Sequence, residues 1–137
     1  MVDRLTGLGL IATCGPYGAS AWPARLTDQL RRCGVVEIVI FPDADVPGQR
    51  HARRVAMACW TDCQPLTVKI VSLPGLAAGQ DVIDWIDADH TADELRTLIA
   101  ATPPWSPEAS ERARLAHRRA LTRARVAKHR AERRVVS

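Results

Sequence analysis

The stretch Val35–Gly48 reads VVEIVIFPDADVPG. A nearly continuous apolar run stops abruptly at Asp43-Ala44-Asp45. The run has the length and β-branched content of a strand, and its unbroken apolar character reads as burial on both faces. Side chains alternate along an extended backbone, so two aspartates two positions apart share a side. In open α/β sheets, ligands collect beyond the carboxyl ends of the strands. Two anions held together there repel each other, and a cation that takes oxygen ligands, Mg²⁺ or Mn²⁺, relieves that repulsion.

Working outward, Gly9–Thr13 (GLIAT) is a short apolar strand candidate, followed by the small-residue loop CGPYGAS with Gly15 and Gly18. A helix is expected from about Trp22 to Arg32, with Pro23 in its first turn, Leu26 and Leu30 on one face, and Gly34 just past its end. After the Asp-x-Asp, Pro47 opens a helix reaching about Trp60, with Ala52, Val55, Ala56 and Cys59 as its inward stripe. Leu66–Leu73 (LTVKIVSL) is a third strand, broken by Pro74-Gly75. Asp81–Ile86 reads as a short helical turn. Thr91–Ala100 is a helix opened by the capping box Thr91/Glu94, with Leu95, Leu98 and Ile99 inward. Strands alternating with helices imply a parallel sheet.

Charge divides the 137 residues in two. Met1–Trp105 carries 9 Lys+Arg against 12 Asp+Glu, net −3; Ser106–Ser137 carries 10 against 3, net +7. The boundary is expected at Thr102-Pro103-Pro104, giving a domain over 1–103 and a basic tail over 104–137. Ser106 and Pro107 open the tail as N-cap and first helical residue. Its Ala, Arg and Leu favour helix, but apolar groups larger than alanine are sparse in its interior (Leu115, Leu121 and Val126), so it has little to bury and is expected to be exposed or partly disordered. Ten cations in such a segment suit either nucleic-acid phosphate or a solvated, flexible linker to a separate module, and the charge favours the first.

Other features narrow the class. No apolar run approaches the ~20 residues of a membrane span. The N-terminus has no basic-then-apolar leader pattern, so a cytoplasmic protein without membrane association is expected. Cys14, Cys33, Cys59 and Cys63 follow no zinc spacing and read as reduced, mostly buried thiols. Trp22, Trp60, Trp85 and Trp105 read as packing anchors, and His90, His117 and His129 as surface residues.

The succession GLIATCGPYGASAW, IVIFPDADVPGQRHARRVA, VKIVSLPG and QDVIDWI resembles the TOPRIM domain of bacterial and phage DNA primases and primase-helicases, over about Asp3–Ala100. It is most similar to versions from phage and mobile-element replication proteins. PDADVPGQRHA is the most specific part. The resemblance implies a three-layer, Rossmann-like α/β fold with a parallel sheet, and a carboxylate site binding Mg²⁺ for nucleotidyl or phosphoryl transfer. By position, Asp43 and Asp45 match the catalytic, metal-binding Asp-x-Asp. Asp81 matches a further metal-binding aspartate, with Asp84 beside it, and Gly15 and Gly18 match the glycines of the loop. Implied partners are single-stranded DNA or primer-template, a replicative helicase, or a primase part supplying what this pattern lacks.

The departures are specific. The family places a Glu-Gly-Glu-Lys-Asp type sequence before a helix that reads like VDRLTGLG; here that helix starts at Met1, and the first strand and catalytic glutamate are missing from the pattern. Glu37 lies inside a strand and Glu94 in a late helix, so neither substitutes by position. The expectation is a shortened TOPRIM domain whose metal site is weak.

If the site works, the first turn of the Pro47 helix would offer its free N–H groups at Gly48 and Gln49 to a phosphate, with Arg50, His51 and Arg53 adding positive charge. Each feature also has a plainer reading. Asp43 and Asp45 suit a turn, Asp81 and Asp84 suit N-capping, and the three basic residues suit a solvated helix face. Two other function classes compete. One is a non-catalytic TOPRIM-like module that binds nucleic acid or a replication partner. The other is a haloacid-dehalogenase-like phosphatase, disfavoured because Val46-Pro47-Gly48 follows the aspartates and the one later lysine before the tail, Lys69, sits in mid-strand.

Overall fold

The structure, a computed structural model, describes residues 2–14, 21–60 and 66–135. Gly15, Gly18 and Cys63 lie outside the described residues. The elements run α1 (Val2–Gly7), α2 (Ala24–Arg32), β1 (Glu37–Ile40), α3 (Val46–Cys59), β2 (Thr67–Ile70), α4 (Val82–Asp87), α5 (Ala92–Ala101) and α6 (Pro107–Val135). The chain divides into two compact units, Met1–Trp105 and Ser106–Ser137.

The first unit is an α/β fold around a parallel pair. β1 and β2 run side by side in the register Glu37↔Thr67 to Ile40↔Ile70, and α3 lies between them in sequence. Alternation sends their side chains to two separate clusters. Val39 and Phe41, with Val71 and Leu73 just past β2, join Leu5, Val82, Trp85 and Leu95 from α1, α4 and α5. Ile38, Ile40, Val68 and Ile70 join Val55, Ala56 and Cys59 of α3, together with Trp22 and Trp105. Helices therefore cover both faces of the pair.

Two of the three expected strands form. Leu10–Thr13 makes no ladder, although Leu10 and Ala12 pack against the core while Ile11 is fully exposed. The inward–outward period of a strand is present there without a pairing partner. Among the described residues the sheet stops at two strands. This also corrects the expectation that Val35–Phe41 is buried on both faces: Val36 and Glu37 are exposed and Ile38–Phe41 are half-buried. One partner strand cannot cover both edges of β1.

Local signals hold up at helix ends. Gly34 sits at φ 75°, and Gly34 and Val35 donate their N–H groups to Arg31 and Leu30 carbonyls, closing α2 as a Schellman motif. Thr91 and Glu94 form the expected reciprocal cap of α5. Trp105 extends the domain two residues beyond the expected Pro boundary, because its N–H donates to the Val68 carbonyl at 2.7 Å and its ring joins the α3 cluster.

Two polar contacts fix the layers. Lys69 points to the α5 side of the sheet. It pairs with Glu37 at 3.3 Å, its diagonal neighbour across the ladder, and donates to the Ile99 carbonyl in the last turn of α5 at 3.1 Å. Buried Thr27 accepts the Trp22 indole N–H at 2.9 Å and lies 3.7 Å from the Cys59 sulfur, tying α2 to α3. Cys59 is buried, but Cys14 and Cys33 are exposed free thiols, against the expectation of mostly buried ones. His90, expected on the surface, stacks on Trp85 with ring centroids 4.0 Å apart.

The second unit is a single helix, α6. Every residue from Glu111 to Glu132 is exposed. Ser106 caps it, its hydroxyl accepting from the Ala109 N–H at 3.1 Å. No helix among the described residues is long and apolar enough to cross a membrane.

Candidate active site: an acidic cluster beyond the paired strands

β1 ends at Ile40, and six residues later, at Val46, the chain enters α3. Asp45 is the N-cap, in extended backbone conformation, with Pro47 in the first turn. Its carboxylate accepts the Gly48 N–H at 2.6 Å and its carbonyl accepts the Gln49 N–H at 3.0 Å. Asp45 also donates its own N–H to the Asp43 carbonyl at 2.8 Å. The first turn of α3 is thus closed by the protein's own carboxylate, which suits the positive end of the helix dipole. The N–H groups expected to face a phosphate are engaged by Asp45 instead.

Gly48 is buried for a reason of space. A Cβ there would lie 2.7 Å from the Asp43 carbonyl oxygen and 2.8 Å from the Asp43 Cβ. Only glycine lets the first turn of α3 lie against Asp43. The role expected for Gly48, direct phosphate contact, is replaced here by close packing under the Asp-x-Asp.

A second loop supplies the third acid. Ala44 donates to the Gln80 carbonyl at 2.8 Å and accepts from the Gly79 N–H at 3.3 Å. This two-bond bridge clamps the Asp-x-Asp to the segment that follows β2. Gln80 braces that segment, its side chain accepting from Ala77 N–H at 2.7 Å, and Gly79 adopts φ 82°. The bridge delivers Asp81 beside Asp43. The sequence carried only a faint sign of it, the turn formers Pro74, Gly75 and Gly79.

The electrostatics follow. Asp43 is held above the ordinary carboxylate range, first by partial burial, then by the charges of Asp45 and Asp81, with His51 opposing. The three acids therefore share one field. His51 is pushed below the ordinary histidine range by burial and by the Arg54 charge, against the pull of Asp43. Its neutral form is thereby favoured over the cation expected from sequence, and its buried Nδ1 has no hydrogen-bond partner among the described residues. Arg50 and Arg53 are exposed on α3.

Asp81 and Asp84 are drawn into helix capping. Asp81 accepts the N–H groups of Ile83 and Asp84 at 2.7 and 3.2 Å, and the Asp84 carboxylate turns back to accept the Asp81 N–H at 2.9 Å. The capping alternative thus describes Asp84 fully. Asp81 caps α4 while still facing Asp43. Among the described residues no three ligating side chains stand ready around a single metal position. The donor set fits an ion that keeps most of its water and takes one or two carboxylates, as Mg²⁺ does. It does not amount to a four-carboxylate cage of Asp43, Asp45, Asp81 and Asp84. An apolar hollow of about 130 Å³ between Trp22, Leu26, Leu30 and Cys33 contains none of these residues.

Comparison with known proteins adds no neighbour: no family model, no curated protein and no solved structure matches the chain.

Proposed function

We propose that the first unit is a TOPRIM-type, primase-like module of DNA replication, with its Asp-x-Asp as a Mg²⁺ site for nucleotidyl or phosphoryl transfer. The carrying observation is that Asp43, Asp45 and Asp81 come from two loops joined through the Ala44 backbone, and that partial burial, reinforced by the charges of Asp45 and Asp81, raises the Asp43 pKa. Accumulated negative charge at the end of a parallel strand favours a divalent cation. The helix cover on both faces of the pair agrees with a three-layer arrangement. Asp43 and Asp45 would hold the ion, with Asp81 adding charge from across the bridge. The ion's chemistry there is charge neutralisation on a reacting phosphate. The chain's own contribution is to hold Asp43 rigidly against Gly48 and to keep Asp45 oriented through its cap.

A second reading is a non-catalytic TOPRIM-like module that binds nucleic acid or a replisome partner such as a helicase. The engagement of Asp45, Asp81 and Asp84 in helix caps favours it. So does the placement of the glutamates: Glu37 pairs with Lys69, and Glu94 caps α5. The experiment is a Mg²⁺ and Mn²⁺ titration of the wild type and of an Asp43→Ala/Asp45→Ala double variant, read by thermal shift, followed by primer synthesis on single-stranded DNA. Cation-dependent stabilisation lost in the variant supports the metal site; equal responses remove it. Primer synthesis favours the enzyme, and cation binding without synthesis favours the binding module.

A further inference from the structure

We infer that α6 is a groove-lying helix for double-stranded B-form DNA, held by two arginine rows that straddle the face of Leu115, Thr122 and Val126. The inference deepens the nucleic-acid part of the reading above and is independent of the acidic site.

At 3.6 residues per turn, Arg112, Arg119, Arg123 and Arg130 fall on one line along α6. Arg114, Arg118 and Arg125 fall on another, continued near its end by Lys128. Ala109, Ala113, Ala116, Ala120, Ala124, Ala127 and Ala131, at steps of three or four, fill the wider arc between the two lines. The arginine lines lie roughly 60° and 80° to either side of the face formed by Leu115, Thr122 and Val126, at about 100° per residue. All these side chains from Glu111 onward are exposed, and the ion pair of this helix is Arg114 with Glu111 at 3.3 Å.

The charge selects a polyanion, and the arrangement selects its form. One strand of nucleic acid offers one backbone, which a single arginine line satisfies. A duplex offers two backbones flanking a groove. The B-form major groove, about 12 Å wide, admits a helix of about 10–12 Å diameter. With Leu115, Thr122 and Val126 turned toward the groove floor, each arginine line reaches one wall. The A-form major groove of duplex RNA is deep and narrow and does not admit it. Arg112 to Arg130 spans ~27 Å at 1.5 Å per residue, long enough to follow the groove past many phosphates. α6 contains no Asn or Gln, so it lacks the bidentate readers of adenine; its contacts are mainly to backbone, with little sequence preference.

The test uses the full chain and fluorescence anisotropy against a mixed-sequence DNA duplex, its single strand, a duplex RNA and anionic vesicles, across a salt series. One variant carries Arg112→Gln/Arg119→Gln/Arg123→Gln/Arg130→Gln, and another Arg114→Gln/Arg118→Gln/Arg125→Gln. Glutamine keeps helix propensity, and circular dichroism verifies the helix. The expected result is tightest binding to DNA duplex, little change when its sequence is shuffled, and losses from both variants. The slope of log affinity against log salt should shrink by up to about 3.6 and 2.7 respectively, at ~0.9 per phosphate contact. Equal or tighter binding to the single strand, dependence on one arginine line alone, unchanged slopes, or binding to vesicles in preference to DNA would each overturn the inference. A lost Mg²⁺ response with duplex binding intact would count against the acidic-site reading alone.

Discussion

Asp43 sets the energetic character of the candidate site. Its folded pKa is raised, so its ionised form is disfavoured by the fold relative to the unfolded chain. The associated stability is full below the unfolded value of about 3.8 and is lost as pH rises through the raised folded value. Asp43→Asn is therefore expected to stabilise the cation-free protein at pH 7 by less than about 1 kcal/mol, since solvent screens a largely open carboxylate. The gain should vanish below the unfolded pKa, as measured by urea melts across pH. Mg²⁺ should raise the melting temperature of the wild type but not of this variant. Asp45 separates charge from capping: Asp45→Ala should cost about 1 kcal/mol from the lost N-cap, whereas Asp45→Asn keeps the cap and loses only the cation response. Gly48→Ala places a methyl at 2.7 Å from a backbone oxygen, so α3 has to shift. A cost of about 1–3 kcal/mol is expected in denaturant melts. Asp43 and Asp45 were legible as a pair because period two is a local property. The Gly48 constraint was not, because the atom it avoids belongs to a turn whose path the sequence does not specify.

Among the elements, the ladder between β1 and β2 and the helices on each side carry the fold. Lys69 is the one cation inside it, joining Glu37 on the neighbouring strand to the end of α5. Lys69→Met leaves the Ile99 carbonyl and Glu37 without their charged donor. We expect a loss of about 1–3 kcal/mol, seen as a lowered denaturation midpoint with unchanged slope. Helices were the most legible elements, since their caps and stripes are encoded within a few residues: Thr91/Glu94, Gly34, and the Ala52, Val55, Ala56 and Cys59 stripe all appear as read. Strand pairing was less so. Leu10–Thr13 has the composition and alternation of a strand, but a ladder needs a partner at the right place, and none pairs with it among the described residues.

At the scale of the whole molecule, an acidic first unit and a basic second unit occupy one chain. All the buried core residues lie in Met1–Trp105, and α6 is exposed from Glu111 to Glu132. Ending the chain after Trp105 is therefore expected to leave the cooperative unfolding transition within a few degrees of the full chain's, by calorimetry, while abolishing duplex binding. Ending it at Pro103 removes Trp105, with its N–H to Val68 and its share of the α3 cluster, and should lower the transition clearly. Charge density changes near this divide, and the packing of one tryptophan puts Trp105 in the first unit.

Sequence by itself determined the helices, the two pairing strands, the Asp-x-Asp at a strand end and the separation of charge, since each depends on neighbours a few residues away. Tertiary structure decided that the Ala44 backbone bridges to Gly79 and Gln80 and that Asp81 joins the field of Asp43. Those outcomes rest on contacts between segments more than thirty residues apart, where the angle of one loop against another selects which carboxylates meet.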